Sequence, residues 1–150
     1  MKSSSLSIVL IAFFLCLPLK SIGQNTSETQ LLGTWTFNYE AALESMDSNA
    51  KEVFNDLSQS QRTGIENMYK GRQMIFTNDT FKLKLTDGRS SEGAWELNPS
   101  GNVLKIKNEV ANKVYPYKLH VISDGKLVIE ELDAKGNMYF KELHFVKLNN

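Results

Sequence analysis

The sequence predicts a mainly β chain: an eight-stranded up-and-down antiparallel β-barrel with a helix-turn-helix inserted between strands one and two. Three observations carry this prediction. Segments of alternating apolar and polar residues follow one another at short spacing. The loops between them are short enough to force antiparallel neighbours. Loop lengths also keep the apolar side chains of successive segments on one common face. Eight such segments in order can close edge to edge, which removes the unpaired edges that an open meander would expose.

The 150 residues, 41% apolar and 23% charged, suit one globular domain. Residues 1–23 read as a secretory signal. Lys2 precedes an apolar run from Leu6 to Leu19, interrupted by Ser7 and Cys16, and Ser21-Ile22-Gly23 supplies small residues for a cleavage site. The run is shorter than the roughly 20 residues a spanning helix needs, so no transmembrane segment is expected after signal removal. Phe13-Phe14-Leu15 lack the small residues that lipid attachment at Cys16 would want, so lipid anchoring is not expected either. The expected product is exported, periplasmic or secreted, and opens with a polar leader, residues 24–30. It has no cysteine, hence no disulfide and no thiol chemistry. Taking Lys2 and Lys20 from 17 basic residues leaves 15 against 17 acidic ones, without the basic block that tracks phosphates, so nucleic acid is not an expected partner.

Residues 31–150 form the barrel domain. Leu31 to Tyr39 alternate as a half-buried strand, with Gly33, Trp35, Phe37 and Tyr39 on one side. The period then changes, and Leu43, Met46, Ala50, Val53 and Leu57 fall on one helical stripe. Ser58 and Gln61 form a capping box for a second helix, which carries Ile65, Met68 and Tyr69 and stops at Gly71. The insertion thus spans about 40–70. Seven further strands are expected at 72–77, 80–85, 89–98, 103–108, 113–122, 126–132 and 138–148.

Turn lengths set the registers. A two-residue Asn78-Asp79 turn pairs Phe76 with Phe81, and a Thr86-Asp87-Gly88 loop, with Gly88 left-handed, aligns Phe81 with Gly93 and Leu83 with Ser91. A four-residue turn from Pro99 to Asn102 pairs Leu97 with Leu104 and Trp95 with Ile106, and Ser123-Asp124-Gly125 aligns Val121 with Leu127. Outward, Lys82 meets Glu92 and Glu96 meets Lys105. Strand eight, which follows a loop at 133–137, has apolar residues on both sides.

Strand direction assigns the inner residues to two ends. Where strand one leaves into the helices, the face carries Tyr39, Ser91, Tyr115, Tyr117, Glu131, Tyr139 and Lys141, with Phe37, Met74 and Leu85 beside them. Trp35, Phe76, Phe81, Trp95, Leu97, Leu104, Val121, Leu127 and Phe145 fill the other end. One end therefore reads as a dry plug and the other as a mouth under a helical lid. An inward Glu131 and Lys141 would be costly unpaired. Either they form a structural ion pair or they hold the polar part of a ligand.

Leu32-Gly33-Thr34-Trp35, a G-x-W on strand one followed by a β meander, resembles the lipocalin and lipocalin-like families of the calycin superfamily. The resemblance covers roughly Leu31 to Leu148 and is closest to small bacterial secreted lipocalin-like domains. It implies a ligand-binding barrel with the tryptophan packed across the closed end, and it implies a fold more securely than a ligand. The helical pair departs from typical lipocalins and is similar to the portal cover of fatty-acid-binding proteins, which have ten strands and no signal.

No catalytic residue emerges. His120 and His144 lie two strand spacings apart, about 10 Å, which is too far to share a metal ion. No nucleophile elbow or phosphate-binding glycine loop occurs, and adjacent Glu130 and Glu131 point to opposite faces. Neither an enzyme nor a cofactor is expected. Two functional hypotheses remain. One is a carrier holding a small apolar or amphipathic ligand in a cavity of a few hundred Å³ at the mouth, in contact with Phe37, Tyr39, Met74, Tyr115, Tyr117, Glu131, Tyr139 and Lys141. The other is a filled barrel that binds a protein partner or associates with the envelope through its helical insertion, with an exposed patch expected at Phe54, Met68 and Tyr69.

Overall fold

The computed structural model describes residues 28–123, 125–133 and 139–149. The expected signal at 1–23, Cys16 within it, most of the polar leader, Asp124 and much of the loop before strand eight lie outside the described residues. Eight strands close into a barrel in chain order: β1 (Gly33–Phe37), β2 (Gln73–Phe76), β3 (Phe81–Lys84), β4 (Ser90–Leu97), β5 (Val103–Asn108), β6 (Lys113–Ser123), β7 (Lys126–Glu131) and β8 (Glu142–Lys147). Every neighbouring pair is antiparallel. β1 meets β8 through Trp35 and Lys147, Thr36 and Val146, and Phe37 and Phe145. The ring therefore has no free edge.

Alternation puts Trp35, Phe37, Met74, Phe76, Phe81, Leu104, Ile106, Leu119, Leu127, Ile129, Leu143 and Phe145 inside, all buried. The expected registers of β2 to β5 hold, from Phe76 opposite Phe81 to Leu97 opposite Leu104, and Gly88 is left-handed with φ 87°. The outer pairs form too. Lys82 bonds Glu92, and Lys105 Nζ lies 2.9 Å from Glu96.

At the β6–β7 hairpin the expected register fails. Val121 lies opposite Val128 and is 41% exposed, while Ile122 pairs with Leu127 and turns inward. An extra residue, His120, bulges between Leu119 and Val121, and the bulge reverses the alternation beyond it. The hairpin closes with Ser123 opposite Lys126, a tighter turn than the expected three-residue loop.

The insertion holds three helices where two were expected: α2 (Tyr39–Ser45), α3 (Ser48–Asn55) and α4 (Gln59–Tyr69). Asp47 breaks the expected first helix, because its carboxylate accepts the Ala50 amide at 2.8 Å and caps α3. Asn38 does the same for α2 through the Ala41 amide, so Tyr39 begins a helix instead of ending a strand. The Ser58–Gln61 capping box forms as predicted. A further short helix, α1 (Glu28–Leu31), precedes β1 and presses Leu31 on the closed end, where its carbonyl accepts the Trp35 indole N–H at 2.7 Å. Among the described residues, no helix is long and apolar enough to cross a membrane.

Candidate functional site

At the end where β1 leaves into the helices, the barrel interior divides into a filled half and an open half. On the β1–β8 side, Phe37, Tyr69 and Phe140 pack with ring centroids 5.0 to 5.8 Å apart, and Tyr39 meets Phe140 edge-on at 5.8 Å. Such tilted and edge contacts are the favoured ones for aromatic rings. Phe140, only 1% exposed, drives this packing from outside any strand, because β8 does not begin until Glu142. A short residue run before the ladder can aim a side chain inward without obeying its alternation.

On the other side, between β2 and β6, a cavity of about 180 Å³ remains. Met74, Phe81, Leu83, Ile106, Leu143 and Phe145 form its apolar wall. Arg72, Ser91, Asn108, Tyr115 and Tyr117 supply its polar groups, and Glu92, whose carboxylate bonds Lys82 on the outer face, borders it. These come from the starts of β2, β4 and β6 and the end of β5, which antiparallel order gathers at one end of the barrel. An engineered apolar cavity of roughly 150 Å³ accepts benzene, so the space suits a small organic group.

Of the side chains expected at a binding site, Met74, Tyr115 and Tyr117 line this cavity. Phe37 and Tyr39 belong to the aromatic plug, and Tyr139 packs edge-on against Phe54 at 6.4 Å. Glu131 is half-buried opposite Tyr117 on the neighbouring strand but does not line the cavity. Lys141 departs furthest from expectation. Its side chain is 76% exposed and its ammonium lies 3.6 Å from Glu130, on the outer face. It precedes β8, so the inward position expected for it is taken by Phe140.

Arg72 was not expected at the site, although it follows the helix-stopping Gly71 at the mouth. Its backbone carbonyl accepts the Phe37 amide at 2.9 Å, and its guanidinium lies over the Tyr69 ring, 4.6 Å from the centroid. Its Nε is buried and has no hydrogen-bond partner among the described residues. Burial pushes the Tyr117 phenol well above its ordinary range; the charge of Glu131 adds to the shift and that of Arg72 opposes it. Tyr69 is raised mainly by burial as well, with Arg72 lowering it and Glu131 raising it. Tyr117 therefore stays a neutral hydroxyl that can donate or accept.

Phe54 and Tyr69, expected in an exposed patch, are buried, and only Met68 of that trio is exposed. The histidines sit outside: His120 Nε2 is 2.8 Å from Glu130, and His144 Nε2 is 3.4 Å from Glu142. Among the described residues, no cluster of three or more potential ligands could hold a metal ion. Compared with known proteins, the chain matches no family model, and no curated protein shows significant similarity to it.

Proposed function

We propose that this is an exported, lipocalin-like carrier that binds a small apolar or amphipathic ligand in the cavity between β2 and β6. The observation that carries the reading is the cavity itself, with an apolar wall at depth and hydroxyl, amide and charged groups at one end. A concave apolar site with a few convergent polar groups is the usual form of a small-molecule site. Its volume favours a ligand, or a ligand portion, the size of a single ring or a short alkyl chain. The secretory signal read at 1–23 would deliver the barrel to the periplasm or beyond.

The experiment is native mass spectrometry of protein purified from its own host, followed by NMR titration with eight-carbon amphiphiles. The expected result is a releasable organic adduct, with the largest shifts at the Met74 methyl and the Tyr115 and Tyr117 rings. No adduct, together with unmoved Met74, Tyr115 and Tyr117 signals up to millimolar ligand, would remove the carrier reading.

A second reading, a module that binds a protein partner through the helical insertion, draws on Val53 and Met68, which α3 and α4 leave 51% and 57% exposed. It predicts that Val53→Glu with Met68→Glu abolishes partner binding while cavity titrations stay unchanged.

A further inference from the structure

Arg72 differs from the other cations near the mouth. Lys70 bonds Glu66, Lys82 bonds Glu92 and Arg89 bonds Asp87, so each of these three is paired with an acid, while Lys113 lies outside the cavity lining with its Nζ 4.6 Å from the Tyr115 ring centroid. Arg72 is half-buried and lines the cavity, with no acid in ion-pair contact and no hydrogen-bond partner for its Nε among the described residues. A guanidinium keeps its charge under all ordinary conditions and carries five donors in a planar fork. Leaving one such donor buried and unbonded is costly unless something else supplies the acceptor. The guanidinium carbon lies over the Tyr69 ring, 4.6 Å from its centroid, a contact that uses the cation's charge without supplying a hydrogen-bond acceptor to Nε.

Resting on the carrier reading above, we infer that the ligand is a small monocarboxylate with an apolar tail, its carboxylate bound by Arg72 and a tyrosine hydroxyl and its tail against Met74, Ile106 and Phe145. A planar carboxylate matches the guanidinium fork with two parallel hydrogen bonds. Tyr117 supplies a neutral hydroxyl in the same cavity. Nearby charge favours a single negative charge on the ligand. Glu131 acts electrostatically on Tyr69 and Tyr117 without lining the cavity, and Glu92 at the rim is already neutralised by Lys82. A dianionic headgroup would meet Glu131 with Arg72 as the one cation among the lining residues to offset it.

The test compares sodium octanoate, 1-octanol and octylamine, which share a tail and differ in head, by calorimetry on the wild-type protein and on Arg72→Met and Arg72→Lys. Octanoate is expected to bind the wild type about tenfold or more tighter than 1-octanol, as a charge-assisted pair contributes, with octylamine weakest. Arg72→Met should abolish that preference and leave 1-octanol binding in place, which also reports that the cavity remains folded. Arg72→Lys should restore only part of the preference, since it returns the charge without the fork. Equal binding of octanoate and 1-octanol by the wild type, an octylamine preference, or an octanoate preference that survives Arg72→Met would each overturn the carboxylate assignment while leaving the carrier reading intact. Failure of all three to bind the wild type would overturn both.

Discussion

Two glycine-to-alanine substitutions should move stability in opposite directions for reasons visible at each site. Gly93 is buried in β4, and a Cβ built on it would sit 1.7 Å from the Lys107 carbonyl oxygen and 2.9 Å from its carbon. Contacts of this kind do not fall below 3.0 Å, so the β5 main chain would have to retreat by more than an ångström. That carbonyl belongs to the β4–β5 ladder, beside Ile106, which pairs with Trp95, so the shift cannot stay local. Overpacking in a well-packed core costs typically 1–3 kcal/mol, and a clash with backbone belongs at or above the top of that range, so we expect Gly93→Ala to lose about 3 kcal/mol. Gly64 lies exposed within α4 with nothing within 4 Å of its Cβ position. Gly64→Ala should gain about 0.5–1 kcal/mol, from helix propensity and a less disordered unfolded chain. Equilibrium urea unfolding of the wild type and both variants, with the m-value checked for constancy, measures the pair. A Gly93→Ala loss below about 1 kcal/mol would refute the close approach of β4 to β5. A loss at Gly64 would refute the placement of that residue on a regular, unobstructed helix.

Other consequences are open to direct measurement. Trp35→Phe removes the indole donor to the Leu31 carbonyl and leaves that acceptor buried, so it should cost about 1–3 kcal/mol and release α1 to faster amide exchange. Tyr39, Tyr69 and Tyr117 are all held above the ordinary phenol range by burial, so phenolate absorbance should show these three of the five tyrosines titrating late. Their neutral forms are favoured in the fold, so this stabilisation is intact below the unfolded pKa of about 10 and is lost as pH rises above it; a stability curve flat through the alkaline range would contradict it. Glu130 is held below the ordinary carboxylate range, chiefly by its hydrogen bond with His120, so His120→Ala should raise its NMR-measured pKa. The stability it contributes is present above the unfolded carboxylate pKa and lost as pH falls through the lowered folded value, and His120→Ala should shrink that acid-side loss.

The barrel was legible because its hairpins carry their own arithmetic. Asn78-Asp79, Thr86-Asp87-Gly88 and the turn from Pro99 to Asn102 each fix a register, and each agrees with the apolar phase on both flanking strands. The His120 bulge defeated the same arithmetic because Leu119, Val121 and Ile122 are all apolar, so alternation beyond Leu119 fits either phase. The division of the insertion at Asp47 follows from a short capping side chain that the helical stripe from Leu43 to Leu57 runs straight across. A cavity lined by Met74, Tyr115 and Tyr117 lies at the end that the sequence assigned to the mouth, but the two halves of that end could not be told apart. Which half is filled depends on Phe140, which packs inward from a position before β8, and period-two reasoning assigns such residues by parity alone. Arg72 shares the parity of Met74 and Phe76 in the expected strand at 72–77, so its inward direction was legible, but a cation at the first position of a strand reads as an exposed end residue.

The pairing of β1 with β8 also bears on how the chain reaches this state. The first strand gains its second neighbour only when residues 145–147 arrive, so the last hydrogen-bonded seam joins segments about 110 positions apart. Until then both margins of a seven-stranded ribbon stand open to any other extended polypeptide, which makes the interval before sealing the time of greatest exposure to intermolecular association. Deleting β8 would leave that interval without end, so the truncated chain should self-associate even though seven of its eight strands retain every local instruction for hairpin formation.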